Sequence, residues 1–142
     1  MGWWPPFLGA GIRVRGLSDD FRDAVVELRL GRLNRNYVGT HFGGSLYAMT
    51  DPFFMIMLLQ NLGGDYLVWD KSGSIEYVAP GRGTVRAHFV LTEARIAEVR
   101  AQAAGGEKVL PEFQVEVRHV ADDTLVAVVR KTLYVRLKPR HR

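Results

Sequence analysis

The residues best suited to chemistry lie close together, between positions 36 and 51. This segment contains a side-chain amide at Asn36, two adjacent glycines at Gly43 and Gly44, and a carboxylate at Asp51. A carboxylate can attack a carbonyl group or activate a water molecule. Glycines that open a helix leave backbone N–H groups without a partner inside it, and such groups can stabilise an oxygen that gains negative charge. The segment therefore has the groups that acyl transfer requires.

A long apolar stretch predicts that Gly43 and Gly44 lie at the start of a helix and that Asp51 lies within it. Phe42 to Leu62 has apolar residues at three- and four-residue steps, which predicts one long helix that ends at Gly63. Apolar positions cover most of its circumference, so we expect burial on nearly all sides. Tyr47 on this helix could line a ligand pocket, although core packing also explains it.

Alternating apolar and polar residues predict strands on both sides of this helix. The segment Glu93 to Ala104 is rich in alanine and predicts a surface helix, with an extended strand as the alternative. Residues 3–8 predict a short helix or an ordered arm. The predicted strands are Ile12–Leu17, Ala24–Leu33, Tyr66–Val78, Thr84–Thr92, Phe113–His119 and Leu125–Leu137.

A helix that is apolar all round needs a sheet wrapped around it. The order of elements therefore predicts an α+β architecture, in which a curved antiparallel sheet of five or six strands encloses one long central helix. The exposed edge of such a sheet and the uncovered flank of the helix predict that two subunits pair.

The length of 142 residues fits a single domain over residues 1–142, with an N-terminal arm or short helix over 1–10 and a basic tail over 138–142. The tail supplies three of the four net positive charges, and no nucleic-acid motif accompanies it, so we expect no nucleic-acid partner. The absence of cysteine excludes disulfides and thiolate metal sites, and it fits a cytoplasmic protein.

Two further classes of function lack support in the sequence. The most apolar stretch, Phe53 to Leu59, is far shorter than the ~20 residues of a membrane span. The histidines His88, His119 and His141 have no ligand spacing, so we expect no metal site.

The segment 36–51 resembles the signature of hotdog-fold acyl-CoA thioesterases, in the branch that includes the phenylacetate-degradation enzymes. That signature reads Asn-x-x-Gly-Thr-x-His-Gly-Gly, with an acidic residue nine positions after the histidine. Residues 75–81 also resemble the family's strand-to-turn segment. Phe42–Ala48 and Val68–Lys71 are similar to a poorly characterised bacterial group, and the resemblance spans residues 11–137. The matching positions are Asn36, Gly39, Thr40, Gly43, Gly44 and Asp51.

The resemblance implies a hotdog fold and a role for each matching residue. Asp51 would be the nucleophile or base, Gly43 would polarise the thioester carbonyl, and Asn36 would hold the carbonyl or a water molecule. In the family the acidic residue comes from the partner subunit, so activity would require a homodimer. Two such dimers could also form a dimer of dimers. Coenzyme A would be part of the substrate, with no separate cofactor. The candidate substrate-binding residues are Gly44, His41, Phe42, Tyr47, Asp70 and Arg82, of which Arg82, or else Arg86, would meet the nucleotide phosphates.

One position departs from the family pattern, because Phe42 stands where the family has histidine. Its neighbour His41 is one step away along the chain, which turns its side chain elsewhere. The departure favours an alternative function, a non-catalytic hotdog protein that binds acyl-CoA or an acyl chain. A third class of function is that of the hotdog hydratases and dehydratases. These enzymes use a histidine, and Phe42 removes the obvious candidate.

Structural explanations also exist for the candidate residues. Asp51 before Pro52 could cap or kink a helix, since aspartate favours the N-cap and proline the first helical position. Gly43 and Gly44 could form a tight loop-to-helix junction, and Asn36 could serve a turn. Asp70 lies in a predicted strand, where either it or Lys71 would face the interior.

Overall fold

The structure, a computed structural model, describes residues 4–140. The first three residues of the predicted arm and the last two of the predicted basic tail lie outside the described residues. The elements are α1 (Pro5–Ala10), β1 (Ile12–Leu17), β2 (Asp23–Arg29), α2 (Gly43–Ala48), α3 (Phe53–Leu62), β3 (Tyr66–Tyr77), β4 (Thr84–Val90), α4 (Glu93–Ala103), β5 (Glu112–His119) and β6 (Leu125–Leu137).

The six strands form one antiparallel sheet in the order β1-β2-β4-β5-β6-β3, with α3 as the central helix. This α+β arrangement is consistent with the predicted hotdog-like architecture. The segment after β4 is helical, as predicted, and the Thr92 hydroxyl caps α4 by accepting a hydrogen bond from the Arg95 N–H. No helix within residues 4–140 is long and apolar enough to span a membrane.

The second strand is shorter than predicted, because it ends at Arg29 rather than at Leu33. The Asn34 side chain accepts a hydrogen bond from the Gly31 N–H and donates to the Arg29 carbonyl. These bonds replace the sheet ladder with a local turn, a competition typical of asparagine side chains.

A chain of aromatic contacts fixes the helices to the inner face of the sheet. Phe53 of α3 lies 5.9 Å from Phe7 of α1 and 5.0 Å from Phe89 of β4, between ring centroids. Phe54 stacks on Phe113 of β5 at 4.9 Å. Each such pair adds about 0.5–1.5 kcal/mol beyond the area it buries. Every residue of α3 except Gln60 is buried or half-buried, as predicted for a helix with a sheet around it.

The prediction of one continuous helix from Phe42 to Leu62 is wrong. The helix is interrupted between α2 and α3, where residues 49–52 form a turn. Pro52 has no N–H to donate, and its ring would clash with the Ala48 carbonyl in a regular helix. That carbonyl instead accepts a hydrogen bond from the Asp51 N–H at 3.3 Å, and the Tyr47 carbonyl accepts one from the Thr50 N–H. The interruption leaves Asp51 at the joint between two helices.

Two tyrosines join α2 to β3. The hydroxyl of Tyr47 lies at Gly73, and the hydroxyl of Tyr77 lies at Gly43. The contacts are four residues apart on each element and occur in opposite order, so α2 and β3 run in opposite directions. A Cβ atom at Gly73 would overlap the Tyr47 hydroxyl, so glycine is needed there for close packing.

We therefore expect Gly73→Ala to lower the free energy of unfolding by about 1–3 kcal/mol, the usual cost of overpacking. Gly16→Ala is a matched control, because a Cβ atom at this strand glycine would meet nothing within 4 Å. Adding Tyr47→Phe should recover part of the loss by removing the overlapping hydroxyl. Denaturant unfolding measures all three variants, and equal losses for Gly73→Ala and Gly16→Ala would contradict the packing.

Candidate functional site

The structure divides the segment 36–51 between two places. Its first part lines a cavity of about 620 Å³ at the start of α2, here called the glycine cavity. The opposite wall is the end of β3 and the turn that follows it. The lining residues are Asn36, Thr40, His41, Phe42, Gly43, Gly44, Leu46, Tyr77, Val78, Ala79, Pro80 and Gly81.

Asn36 organises the loop that leads to the cavity. Its Oδ1 accepts hydrogen bonds from the N–H groups of Val38 and Thr40, at 3.1 and 3.0 Å. Its Nδ2 donates to Thr40 Oγ1 and to the His41 carbonyl, at 2.9 and 3.3 Å. The side-chain amide is therefore engaged within the loop, which agrees with the turn interpretation of this residue. Asn36 holds the wall of the cavity in shape.

His41 faces the protein interior, and its neighbour Phe42 is 57% exposed. The His41 Nε2 atom lies 2.6 Å from the Gly83 carbonyl, so Nε2 carries the proton and donates it. Nδ1 is buried and has no partner within residues 4–140. Burial lowers the pKa of His41, which keeps the ring neutral at pH 7. His41 therefore fastens the loop to the turn between β3 and β4.

Gly43 and Gly44 are the first residues of α2, and within residues 4–140 no hydrogen bond uses their N–H groups. Both positions are crowded. A Cβ atom would lie 2.8 Å from the Tyr77 hydroxyl at Gly43, and 2.6 Å from the Phe42 ring at Gly44. Gly43 and Gly44 thus form the tight loop-to-helix junction described above. Because they have no side chains, their two N–H groups are also accessible as donors at the cavity.

Asp51 lies outside the glycine cavity, in a second site formed with Tyr47, Asp70 and Lys131, here called the lysine cluster. The Lys131 Nζ atom lies 2.6 Å from Asp51 Oδ1 and 3.1 Å from Asp70 Oδ1, and it donates to the Tyr47 hydroxyl at 3.3 Å. Lys131 is only 2% exposed, whereas the Asp51 side chain is 48% exposed. The carboxylate of Asp51 does not cap α3, contrary to the capping alternative.

Lys131 remains an ammonium ion in this site. Burial acts to lower the pKa of Lys131, but the carboxylates of Asp51 and Asp70 and the Tyr47 hydroxyl more than offset it, so the pKa lies above its ordinary value. The cluster thus holds one positive and two negative charges. Lys131 was not among the predicted site residues. The sequence signal is a lysine at an inward position of β6, in the alternating series with Val129, Leu133 and Val135.

The two places are too far apart to act on one carbonyl group within a single chain. Gly43 lies at the Tyr77 hydroxyl, whereas the partner of Asp51, Lys131, lies beside Gly73. Tyr77 and Gly73 are four residues apart on β3, which corresponds to roughly 13 Å along a strand. Of the remaining candidates, Arg82 is exposed in the turn beside Gly81, and its N–H donates to His119 Nε2. Arg86 lies in β4 and pairs with Glu27 at 2.6 Å.

Several solved structures share the fold of this chain, and some of them are described as thioesterases. A Pseudomonas aeruginosa protein described as a probable thioesterase superposes with a TM-score of 0.80 over 90% of this chain and 84% of its own, at 16% identity. A Haemophilus influenzae thioesterase gives 0.67 over 96% and 86%, also at 16% identity. A Staphylococcus aureus thioesterase variant gives 0.66 over 92% and 98%, at 12% identity.

The chain belongs to the family described as "Domain of unknown function (DUF4442)", whose model matches residues 1–135. A search of curated proteins found no match. The comparisons show the fold, and the two sites indicate the chemistry.

The lysine cluster predicts a non-additive effect on stability. Asp51→Asn and Asp70→Asn each leave Lys131 one carboxylate, whereas the double variant leaves a buried ammonium ion without a counter-ion. We expect the double variant to lose about 3–5 kcal/mol of unfolding free energy, more than the two single losses combined. Denaturant unfolding at pH 7 measures this. With Lys131→Met in place, the same two substitutions should cost little, and additive losses with Lys131 retained would argue against a shared cluster.

Proposed function

We propose that this protein is an acyl-CoA thioesterase-like hotdog protein that hydrolyses a fatty or aryl acyl-CoA thioester at the interface of a homodimer. The observation that carries the proposal is the separation of Asp51 from Gly43 and Gly44 within one chain. A second copy that brings its Asp51 to the glycine cavity would reunite the carboxylate with the free N–H donors. The thioesterase-like fold supports the reaction class. The branch with the phenylacetate-degradation enzymes rests on the resemblance of residues 36–51.

The surface around the glycine cavity supports a dimer. Phe42, Tyr77 and Val78 line the cavity and are about half exposed, and Tyr37 and Val38 are exposed in the loop that leads to it. Exposed apolar side chains grouped around a cavity mark interaction surfaces. The strand β3 is twelve residues long and forms one edge of the sheet, so its free edge can pair with another strand. Both features favour a second copy, and a dimer of dimers is compatible with them.

The proposed reaction needs only the substrate, water and these residues. The Asp51 carboxylate takes a proton from water, and the water oxygen bonds to the thioester carbon. The carbonyl electrons move onto oxygen, where the Gly43 and Gly44 N–H groups of the other copy stabilise the charge. The C–S bond then breaks, and the coenzyme A thiolate takes the proton from Asp51. The products are the carboxylic acid and free coenzyme A.

The same cavity suggests how the two ends of the substrate bind. Leu46 and Val78 give it apolar walls for an acyl chain, and the aromatic rings of Phe42 and Tyr77 suit an aryl group. Arg82 is exposed next to Gly81, and in this proposal it binds the nucleotide phosphates.

Non-catalytic binding of acyl-CoA is the second candidate. The contact that favours it is the 2.6 Å ion pair of Asp51 with Lys131, because a paired carboxylate is a weaker base or nucleophile. Phe42 stands where the thioesterase signature has histidine, and this difference also favours binding without catalysis. Binding would then use the glycine cavity without turnover.

Turnover of an acyl-CoA panel separates the two candidates. We expect the wild-type protein to release thiol from at least one fatty or aryl acyl-CoA, and Asp51→Asn to lower kcat/KM by about 100-fold or more. Asp65→Asn is the control, since this exposed carboxylate lies outside both sites. Thermal stabilisation by acyl-CoA without thiol release would favour the binding function. Neither stabilisation nor release would remove both.

A further inference from the structure

We propose that Lys131 and Asp70 are positioning residues for Asp51: Lys131 holds one carboxylate oxygen so that the other faces the substrate, and Asp70 prevents Lys131 from neutralising Asp51. The inference rests on the proposed function. It adds Lys131, which was not among the predicted site residues, and gives Asp70 a role other than substrate binding.

The geometry of the ion pair fixes the direction of the Asp51 carboxylate. Lys131 occupies Oδ1 at 2.6 Å, and no second hydrogen bond to this carboxylate is formed within residues 4–140. The lysine stem is buried between neighbouring inward positions of β6, so Nζ has little freedom to move. Asp51 itself is half exposed at the helix joint. The carboxylate is thus anchored through Oδ1, and Oδ2 has no hydrogen-bond partner among the described residues.

Asp70 reaches the cluster through an irregularity in β3. Asp70 pairs with Leu133 and Ser72 pairs with Thr132, so Lys71 is an extra residue, a β-bulge. Without the bulge, side chains would alternate strictly and Asp70 would face away from the side of Gly73. With it, Asp70 and Gly73 both lie on the inner face, opposite Leu133 and Lys131 respectively. The bulge therefore brings a second carboxylate to Lys131.

The second carboxylate changes the charge of the site. Lys131 with Asp51 alone would be a neutral pair, in which the ammonium ion withdraws charge from the reacting group. Asp70 lies 3.1 Å from the same nitrogen and shares its attraction, which leaves the cluster with a net charge of minus one. Lys131 thus holds Asp51 in place, while its charge is shared between two carboxylates.

Among the described residues, Lys131 forms ion pairs with Asp51 and Asp70 only. The guanidinium group of Arg95 on α4 lies over the Phe113 ring, 5.0 Å from its centroid. On β5 the residue opposite Lys131 is Phe113, which is apolar. On β3 it is Gly73, and on α2 it is Tyr47, whose ring centroid lies 5.2 Å from Nζ. Glu112 and Arg130 are close in the sheet, but they are exposed on its other face.

The test is the pH profile of kcat/KM for acyl-CoA hydrolysis by single variants. Removing the cation makes the Asp51 carboxylate easier to protonate, so Lys131→Met should move the acid limb to higher pH. Removing the neighbouring anion makes protonation harder, so Asp70→Asn should move it to lower pH. We expect shifts of about one pH unit in opposite directions. Asp70→Asn should also lower kcat several-fold at pH 7 with little change in KM, and Lys131→Arg should recover part of the Lys131→Met loss.

Lys71→Met is the matched control, because it removes a lysine charge from the bulge while leaving the cluster intact, and its profile should equal that of the wild type. If Lys131→Met does not fold, the shift in Asp70→Asn alone decides. The ¹³C NMR titration of the Asp51 carboxyl carbon, assigned by its loss in Asp51→Asn, should shift in parallel with the acid limb.

The outcomes separate this inference from the proposed function. If the wild type hydrolyses acyl-CoA and Asp51→Asn abolishes it, but the limb stays in place or moves the same way in both variants, Lys131 and Asp70 have a structural role only and the inference is overturned. If the wild type shows no turnover, the proposed function fails and takes the inference with it, whatever the NMR titration shows.

Discussion

A buried ammonium ion needs counter-ions, and Lys131 imposes this constraint on three parts of the fold. The side chain of Lys131 is buried on the inner face of the sheet. Its counter-ions are therefore carboxylates that reach it from the helix joint and from β3. The joint exists because Pro52 interrupts the helix, and β3 can deliver Asp70 because of its bulge. Gly73 leaves space for the Tyr47 hydroxyl beside them. The helix joint, the bulge and the close contact at Gly73 thus meet around one charge.

Local patterns in the sequence predicted the elements well. Alternation of apolar and polar residues predicted the bounds of β1, and the alanine-rich composition of residues 93–104 predicted α4. The prediction of a continuous helix was wrong because the apolar periodicity extends across Pro52. Periodicity does not register the missing N–H and the ring clash by which proline interrupts a helix. The end of β2 was missed for a related reason, since the side chain of Asn34 competes for the backbone of that strand.

The candidate site was predictable only in part, because its partners are distant in sequence. Asp51 and Lys131 are 80 residues apart, and no local pattern links them. The bulge in β3 decides which face of the sheet Asp70 lies on. The alternation of residue types in the sequence does not determine that face. Residues 36–44, by contrast, form their contacts within the loop and with the next turn, so the sequence located that wall of the cavity.

The central question is whether Asp51 of one copy works with the glycines of another. Co-expression of differently tagged Asp51→Asn and Gly43→Pro chains, followed by purification of mixed dimers, answers it. Proline is tolerated at the first position of a helix and removes the N–H donor there. Tyr77→Phe in the same chain removes the hydroxyl that a Cβ atom at Gly43 would meet. We expect each parent to be inactive and the mixed dimer to recover about half of the wild-type turnover, since one of two symmetric sites is intact. Mixed dimers that form but stay as inactive as both parents would contradict a shared site.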